Sequence, residues 1–310
     1  MRRYERRIVD VLSAVILLLG ATNVASGQFG SMLWKVSAEG GAVNYVFGTI
    51  HLADSLVFHQ PRSVLEALDR STIVVTELDL DSLQSGGMNP EMFMAAPNAG
   101  LRDVLHDSDY AVVKAYVAEH LGPMVLMTMD RLSPAALGSI MMLSRLQRTA
   151  PLTIDEFIWN RAKLLGIRLR GIESSSEQLA VLDKVPPEMV VEFARNPEEF
   201  DSLYVELRRA YIEADYDAIA ALTNELGAYE SFNSAINDDR NAIMAGRLQP
   251  LLSDGGVFVA VGAAHLGGPK GLLQHLRDRG FMVESTSGEQ RQSMLLAPTH
   301  TSGNTRRTTR

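Results

Sequence analysis

The chain has 310 residues, of which 46% are apolar and 21% charged, an ordinary globular composition with ample material for a sizeable core. Its net charge of −8 argues against non-specific nucleic-acid binding. The absence of cysteine excludes disulfides, a thiol nucleophile and thiolate metal sites, leaving His, Asp and Glu as the strong metal ligands.

Residues 1–27 have the order of a secretory signal peptide: the arginine-rich MRRYERR, the apolar VLSAVILLLG, then the small residues of ATNVASG. Cleavage is expected between Ala25 and Gln28. It would remove four Arg against Glu5 and Asp10, a net +2, deepening the charge of the mature chain to −10. The alternative is an uncleaved N-terminal anchor, but the apolar run is shorter than the roughly 20 residues of a comfortable span. The expected destination is the periplasm or the extracellular medium, with no stable membrane span after cleavage.

The next segment, LWKVSAEGGAVNYVFGTIHL, reads as two strands around a Gly-Gly turn. PRSVLEALDR reads as a helix and STIVVTELDL as a buried strand ending at Glu77 and Asp79, so the start of the domain is a βαβ unit. Residues 82–100, with Met88, Met92 and Met94, suggest a loop or an active-site flap, or else an adaptable partner surface. A helical block is expected over about 101–252. Within it Ser133 caps one helix, and Thr153 with Glu156 and Ser174 with Glu177 form capping boxes. IRLRGIE is a short strand ending near Glu173. The charges over 186–252 suit a solvated helix face. GGVFVAVG, AAHLGGPKGLLQHLRDRG and FMVES form a second βαβ unit. The expected fold is α/β: a mixed sheet built from N- and C-terminal βαβ units, with the helical insertion packed on or over it. Residues 28–288 would be one domain, and the polar tail 289–310 is expected to be disordered.

Two strands end alike, in YVFGTIHL and FVAVGAAHL. With 24 Gly and 7 His, a lone Gly-x-x-His arises readily by chance, so the shared setting carries the signal. Both copies follow an apolar strand and precede Leu. Gly48 and Gly262 allow a positive φ or a close backbone approach as each strand ends, and His51 and His265 then turn over the sheet's edge. Sites in open α/β sheets lie at the carboxyl ends of strands, where His51, Glu77, Glu173 and His265 all fall. Two His and one carboxylate form a three-ligand site for a divalent metal with a water position left open. Asp155, in the first turn of a helix, is also favoured there by the helix dipole, and Arg240 reads as a surface residue or a substrate clamp. His59, His106, His120, His275 and His300 have no such setting. HExxH, GxSxG, Walker A and GxGxxG are all absent.

These segments, with LTIDEFIWNRAKLLGIRLRGIESSSEQL and DDRNAIMAGRL between the two motifs, resemble the TraB/GumN family. That family is related in fold to the Tiki metalloproteases and, more distantly, to erythromycin-esterase-like and ChaN-like proteins. The resemblance spans about residues 33–285. It implies that the two Gly-x-x-His motifs meet in one site. It also implies a metal-dependent, peptidase-like hydrolase using Mn, Co or Zn, with His51 and His265 as ligands and Glu77 as third ligand or general base. Gly48 and Gly262 would shape the turns, while Asp155, Glu173 and Arg240 match positions without assigned roles. The substrate would be a peptide or small molecule. Gly267 and Gly268 suggest a looser loop after the second motif than the family pattern. The alternatives are a metal-free esterase-like hydrolase with a histidine base, a haem or other ligand binder, or a partner-binding protein without turnover.

Overall fold

The computed structural model describes residues 31–38, 40–41, 43–85, 93–225, 237–286 and 291–296. The leader expected over 1–27 lies outside them, as do Met88, Met92 and His300. No helix among the described residues is long and apolar enough to cross a membrane.

The expected N-terminal hairpin forms from β1 (Leu33–Ser37) and β2 (Val43–Thr49), paired antiparallel from Leu33↔Phe47 to Ser37↔Val43. The other strands are β3 (His59–Pro61), β4 (Ile73–Thr76), β5 (Arg168–Gly171), β6 (Val257–Gly262), β7 (Met282–Ser285) and β8 (Arg291–Ser293). Six of them make one sheet in the order β5-β4-β6-β2-β1-β7. β6 lies parallel between β2 and β4, and β4 pairs parallel with β5. β1 is antiparallel to both its neighbours, so the sheet is mixed, as expected. β6 belongs to the C-terminal unit and inserts between two strands of the N-terminal one, which joins the two ends of the chain in a single sheet.

The sheet is covered on both faces, which explains why β6 reads as an unbroken apolar run. Phe47, Val74, Phe258 and Ala260 face one core with Val64 and Leu68 of helix Arg62–Arg70 and Ile154 and Ile158 of helix Ile154–Leu165. Val46, Val75, Val257, Val259 and Val261 face the other, with Met244 and Leu248 of helix Asp239–Asp254 and Leu272 and Leu276 of helix Leu272–Asp278. The alternation along β6 is the two-residue period of a strand. Part of the helical insertion builds its own core, where Leu101, Tyr110, Val113, Leu137, Met141 and Val190 pack together. Helix Pro197–Glu213 returns to the sheet through buried Ala210 and Tyr211.

Local signals hold. Ser133 accepts the Ala136 N–H, and the capping boxes at Thr153/Glu156 and Ser174/Glu177 are both complete. Two expectations are corrected. The stretch expected to be a loop over 82–100 begins inside helix Leu80–Ser85, and Phe93 to Ala95 pair with Arg131–Ser133 through Ala95 N–H to Arg131 O (2.8 Å) and Ser133 N–H to Phe93 O (2.9 Å). The tail expected to be disordered from 289 instead starts with β8, paired antiparallel to β3, and delivers Met294 into the core with Leu295 packed beside it, because the run Met294-Leu295-Leu296 is apolar.

Met294→Ala is therefore expected to cost about 2–5 kcal/mol, the range for deleting a fully buried methionine side chain. Urea unfolding of the full chain measures it. A loss within error of zero would mean the segment does not pack as described.

Candidate functional site

The parallel strands β2, β4, β5 and β6 end along one edge of the sheet, and their register brings the sequence motifs together. Thr49 pairs with Gly262, Thr76 with Ala260 and Thr76 with Gly171. His51, Glu77, Glu173 and His265 each follow a strand end by one to three residues, so all four leave the sheet at neighbouring points. The glycines act by close approach rather than by a left-handed backbone. Neither Gly48 nor Gly262 has a positive φ. A Cβ at Gly48 would stand 2.9 Å from Leu266 Cδ1 and 3.2 Å from Ala263, and one at Gly262 would press within 3.3 Å of Glu77 Oε1. The double glycine after the second motif closes into a turn, with Gly271 N–H donating to Gly268 O at 3.0 Å.

His265 is buried, and its tautomer follows from its partners. Asn241 uses its amide N–H to donate to Lys270 O (3.0 Å), which turns its carbonyl oxygen toward His265 Nδ1 at 2.8 Å. Nδ1 therefore carries the proton, and Nε2 is left as a lone pair. That lone pair faces Glu77 Oε1 at 3.9 Å. Burial, reinforced by the positive Arg240, pushes the His265 pKa down to about 3 against the pull of Glu77, so the ring is neutral.

His51 is held from the other side. Its Nδ1 lies 2.8 Å from Asp155 Oδ2, an ion contact that is oblique for a straight hydrogen bond. Asp155 is fixed through its second oxygen by the Thr49 hydroxyl at 2.7 Å. Burial opposes charge on His51, but Asp155, assisted by Glu77, outweighs it and raises the pKa to about 9. His51 Nε2 is buried and has no hydrogen-bond partner.

Glu77 accepts the Gly262 N–H on Oε1 (2.7 Å) and Arg240 on Oε2 (2.9 Å). Burial raises the Glu77 pKa, but the positive charge facing it and the Gly262 N–H prevail and hold the carboxyl at about 2. Arg240 also donates Nε to Glu173 Oε1 at 2.8 Å, and Gln178 bridges the two carboxylates at 3.4 and 3.3 Å. Arg240 is only 5% exposed. It is thus not the surface residue that was one of the two expectations, but a buried cation tying Glu77 to Glu173. The expectation of a solvated face over 186–252 fails here because the end of the sheet needs a counter-charge.

A cavity of about 30 Å³, room for one water-sized group, opens between His51, His265, Thr49, Tyr211 and Ala263. Tyr211 is buried beside it and donates its hydroxyl to Gly48 O at 2.8 Å. Burial, followed by the nearby Asp155, raises the tyrosine pKa well above its ordinary value and keeps the phenol a donor. His59, His106, His120 and His275 stand on other elements, as expected.

The donor chemistry suits a divalent transition metal. Each imidazole has Nδ1 beside an outer oxygen, from Asp155 or Asn241, as the second ring nitrogen of a metal-binding histidine has. Glu77 adds a carboxylate. Among the described residues, no three His, Asp or Glu side chains are drawn in closely enough to encircle an ion.

Sequence reasoning missed Thr49, Gln178, Tyr211 and Asn241. Thr49 and Asn241 lay inside recognised segments, next to Gly48 and Arg240, and that adjacency was the available signal. Gln178 likewise lay inside a recognised segment, next to the capping residue Glu177, and Tyr211 had no such signal.

The fold and site define a mixed α/β protein with a histidine–carboxylate cluster at the carboxyl edge of its sheet. The chain belongs to the TraB/PrgY/gumN family, whose model matches residues 32–285. No curated protein and no solved structure matches the chain.

Replacing Arg240 would leave two carboxylates buried without their cation. Arg240→Met is expected to lose about 3–5 kcal/mol of stability. Chemical denaturation at neutral pH measures this, and a loss below about 1 kcal/mol, the scale of an exposed ion pair, would contradict a buried clamp.

Proposed function

We propose that the protein is a metal-dependent hydrolase, peptidase-like in substrate, with His51, His265 and Glu77 holding a divalent cation such as Mn, Co or Zn. One observation carries this reading: the bare Nε2 of His265 and the ionised Oε1 of Glu77 face each other at 3.9 Å, and His265 shares a cavity with His51, whose Nε2 has no hydrogen-bond partner. Two acceptors so placed repel unless a cation or proton donor stands between them. A metal bound there supplies Lewis acidity and lowers the pKa of a bound water toward neutrality. Asp155 and Asn241 orient the two imidazoles. Arg240 and Gly262 N–H fix the Glu77 carboxylate and keep it anionic, which suits a ligand better than a proton acceptor. Tyr211 and Thr49 wall the cavity.

A second reading, a metal-free hydrolase with a histidine base, is favoured by the contact between His51 and Asp155. Its weakness is the spread of basicities. His51 is raised to about 9, and His265 and Glu77 are lowered to about 3 and 2, so none is poised near neutral pH where a general base works best.

Metal content after dialysis and reconstitution with Mn, Co and Zn separates the two. The wild type is expected to retain about one ion per chain. His51→Ala/His265→Ala should retain none and lose peptide hydrolysis while keeping its circular dichroism. Hydrolysis that survives in the double variant would sink the proposed site, and chelator-insensitive hydrolysis by the wild type would favour the metal-free reading.

The reading includes export, resting on the arginine-then-apolar order of residues 1–27. N-terminal sequencing of the mature chain should begin between residues 26 and 28, and recovery of the intact N-terminus in the membrane fraction would replace export with anchoring.

A further inference from the structure

The cavity beside the two histidines has walls of separate origin. One wall is the sheet edge, residues 49–51 and 262–265. The other is Leu207 and Tyr211 of helix Pro197–Glu213, with Ile219 of helix Tyr216–Glu225. At about 30 Å³ the space holds one water-sized group, and His265 is only 1% exposed, so a substrate reaches the imidazoles only if the walls part. The two helices form one stiff unit. Ala214 between them takes a left-handed turn, Asp215 N–H closes it onto Ala210 O at 2.8 Å, and the Asp215 side chain caps Ala218 N–H at 2.9 Å. This unit is thinly anchored to the sheet. Of the 17 residues in helix Pro197–Glu213 only Ala210 and Tyr211 are buried, against six of the 16 in helix Asp239–Asp254. Polar tethers add to the hold: Arg208 to Asp54 Oδ2 (2.7 Å), Tyr211 to Gly48 O (2.8 Å), Trp34 Nε1 to the Tyr216 hydroxyl (2.7 Å), and Arg291 to Ile212 O. Water replaces such partners when they separate, so their net hold is small for their number.

We propose that helices Pro197–Glu213 and Tyr216–Glu225 are a lid, closed in this structure, that swings off the strand ends to admit substrate. The role in admitting substrate rests on the hydrolase reading; the motion itself does not. The first helix is fixed to the helical lobe near its start, where Arg145 Nε donates to Asp201 Oδ1 at 2.8 Å and the rings of Phe193 and Phe200 stand 4.6 Å apart. That places the pivot at the Pro197 end and the travel at Tyr211 and Ile219, the residues that cover the histidines. Closure then expels water from the cavity, as lids over hydrolytic sites do.

The chain has no cysteine, so single cysteines report opening without background. Ile219→Cys lies on the underside of the lid, and Val259→Cys, on the central strand, is uncovered only when the sheet unfolds. Both are labelled in the full chain with methyl methanethiosulfonate and read by mass spectrometry. Labelling is expected to be at least about tenfold faster at Ile219→Cys, and nearly independent of urea where Val259→Cys accelerates steeply. Arg208→Met, which removes a tether, should speed labelling at Ile219→Cys about tenfold, the scale of one charge-assisted hydrogen bond. Leu276→Ala, in the core on the other face of the sheet, should speed Val259→Cys and leave Ile219→Cys unchanged, because that core stays packed when the lid opens. Equal rates with equal urea dependence, acceleration of both thiols by Leu276→Ala, or no response of Ile219→Cys to Arg208→Met would each overturn the lid. The urea comparison decides alone if Leu276→Ala fails to fold. Opening as described, in a protein that binds no metal and cleaves no peptide, would uphold the lid and count against hydrolysis.

Discussion

The parallel pairing of β2 with β6, with Thr49 opposite Gly262, is the contact on which the rest of the site depends. It joins the first and last quarters of the chain and ends two strands at the same level. Gly48 is required for that pairing because Leu266 and Ala263 fill the space where its side chain would stand. β4 on the far side of β6 then supplies Glu77, whose carboxylate takes the Gly262 N–H at the end of the central strand. That bond satisfies a backbone donor the ladder no longer reaches and at the same time aims an acidic oxygen at His265. Strand pairing and site geometry are therefore one arrangement, and a slip of one residue in β6 would turn every side chain to the other face.

Such an edge carries charge that a purely structural core would avoid. Removing carboxylates and a guanidinium from water costs several kcal/mol per ion, and mutual attraction offsets this only when nearly every donor and acceptor is used. Glu77, Glu173, Arg240 and Gln178 come close to that condition. Apolar residues of similar volume would hold the sheet as well or better. The four interlocked polar groups stand at the edge where the two histidines emerge, so their desolvation cost falls at the candidate site.

Much of this was legible in the sequence where the signal is local. The hairpin, the capping boxes and the central strand each follow from a few adjacent residues, and the twin Gly-x-x-His identified the two strands that turn out to be neighbours. What escaped depends on pairings between distant segments. Asn241 sits 24 positions from His265 and Thr49 is 106 from Asp155, so no spacing rule connects them. Arg240 was singled out, but its place between Glu77 and Glu173 depends on the sheet end behind it. Met294 escaped because the apolar run it opens is too short to show a periodicity.

The cluster also has a charge balance that bears on what it binds. Three carboxylates, Glu77, Glu173 and Asp155, stand against one guanidinium, Arg240, leaving two negative charges in a buried space when both imidazoles are neutral. A proton on His51 neutralises one of them, which is the physical content of its raised pKa. His265 cannot take the second proton, because burial and Arg240 oppose it. A divalent cation would neutralise both, and its arrival would displace the His51 proton and give His265 Nε2 and Glu77 Oε1 the shared partner that their geometry otherwise denies them. The same electrostatics make these side chains poor bases on their own.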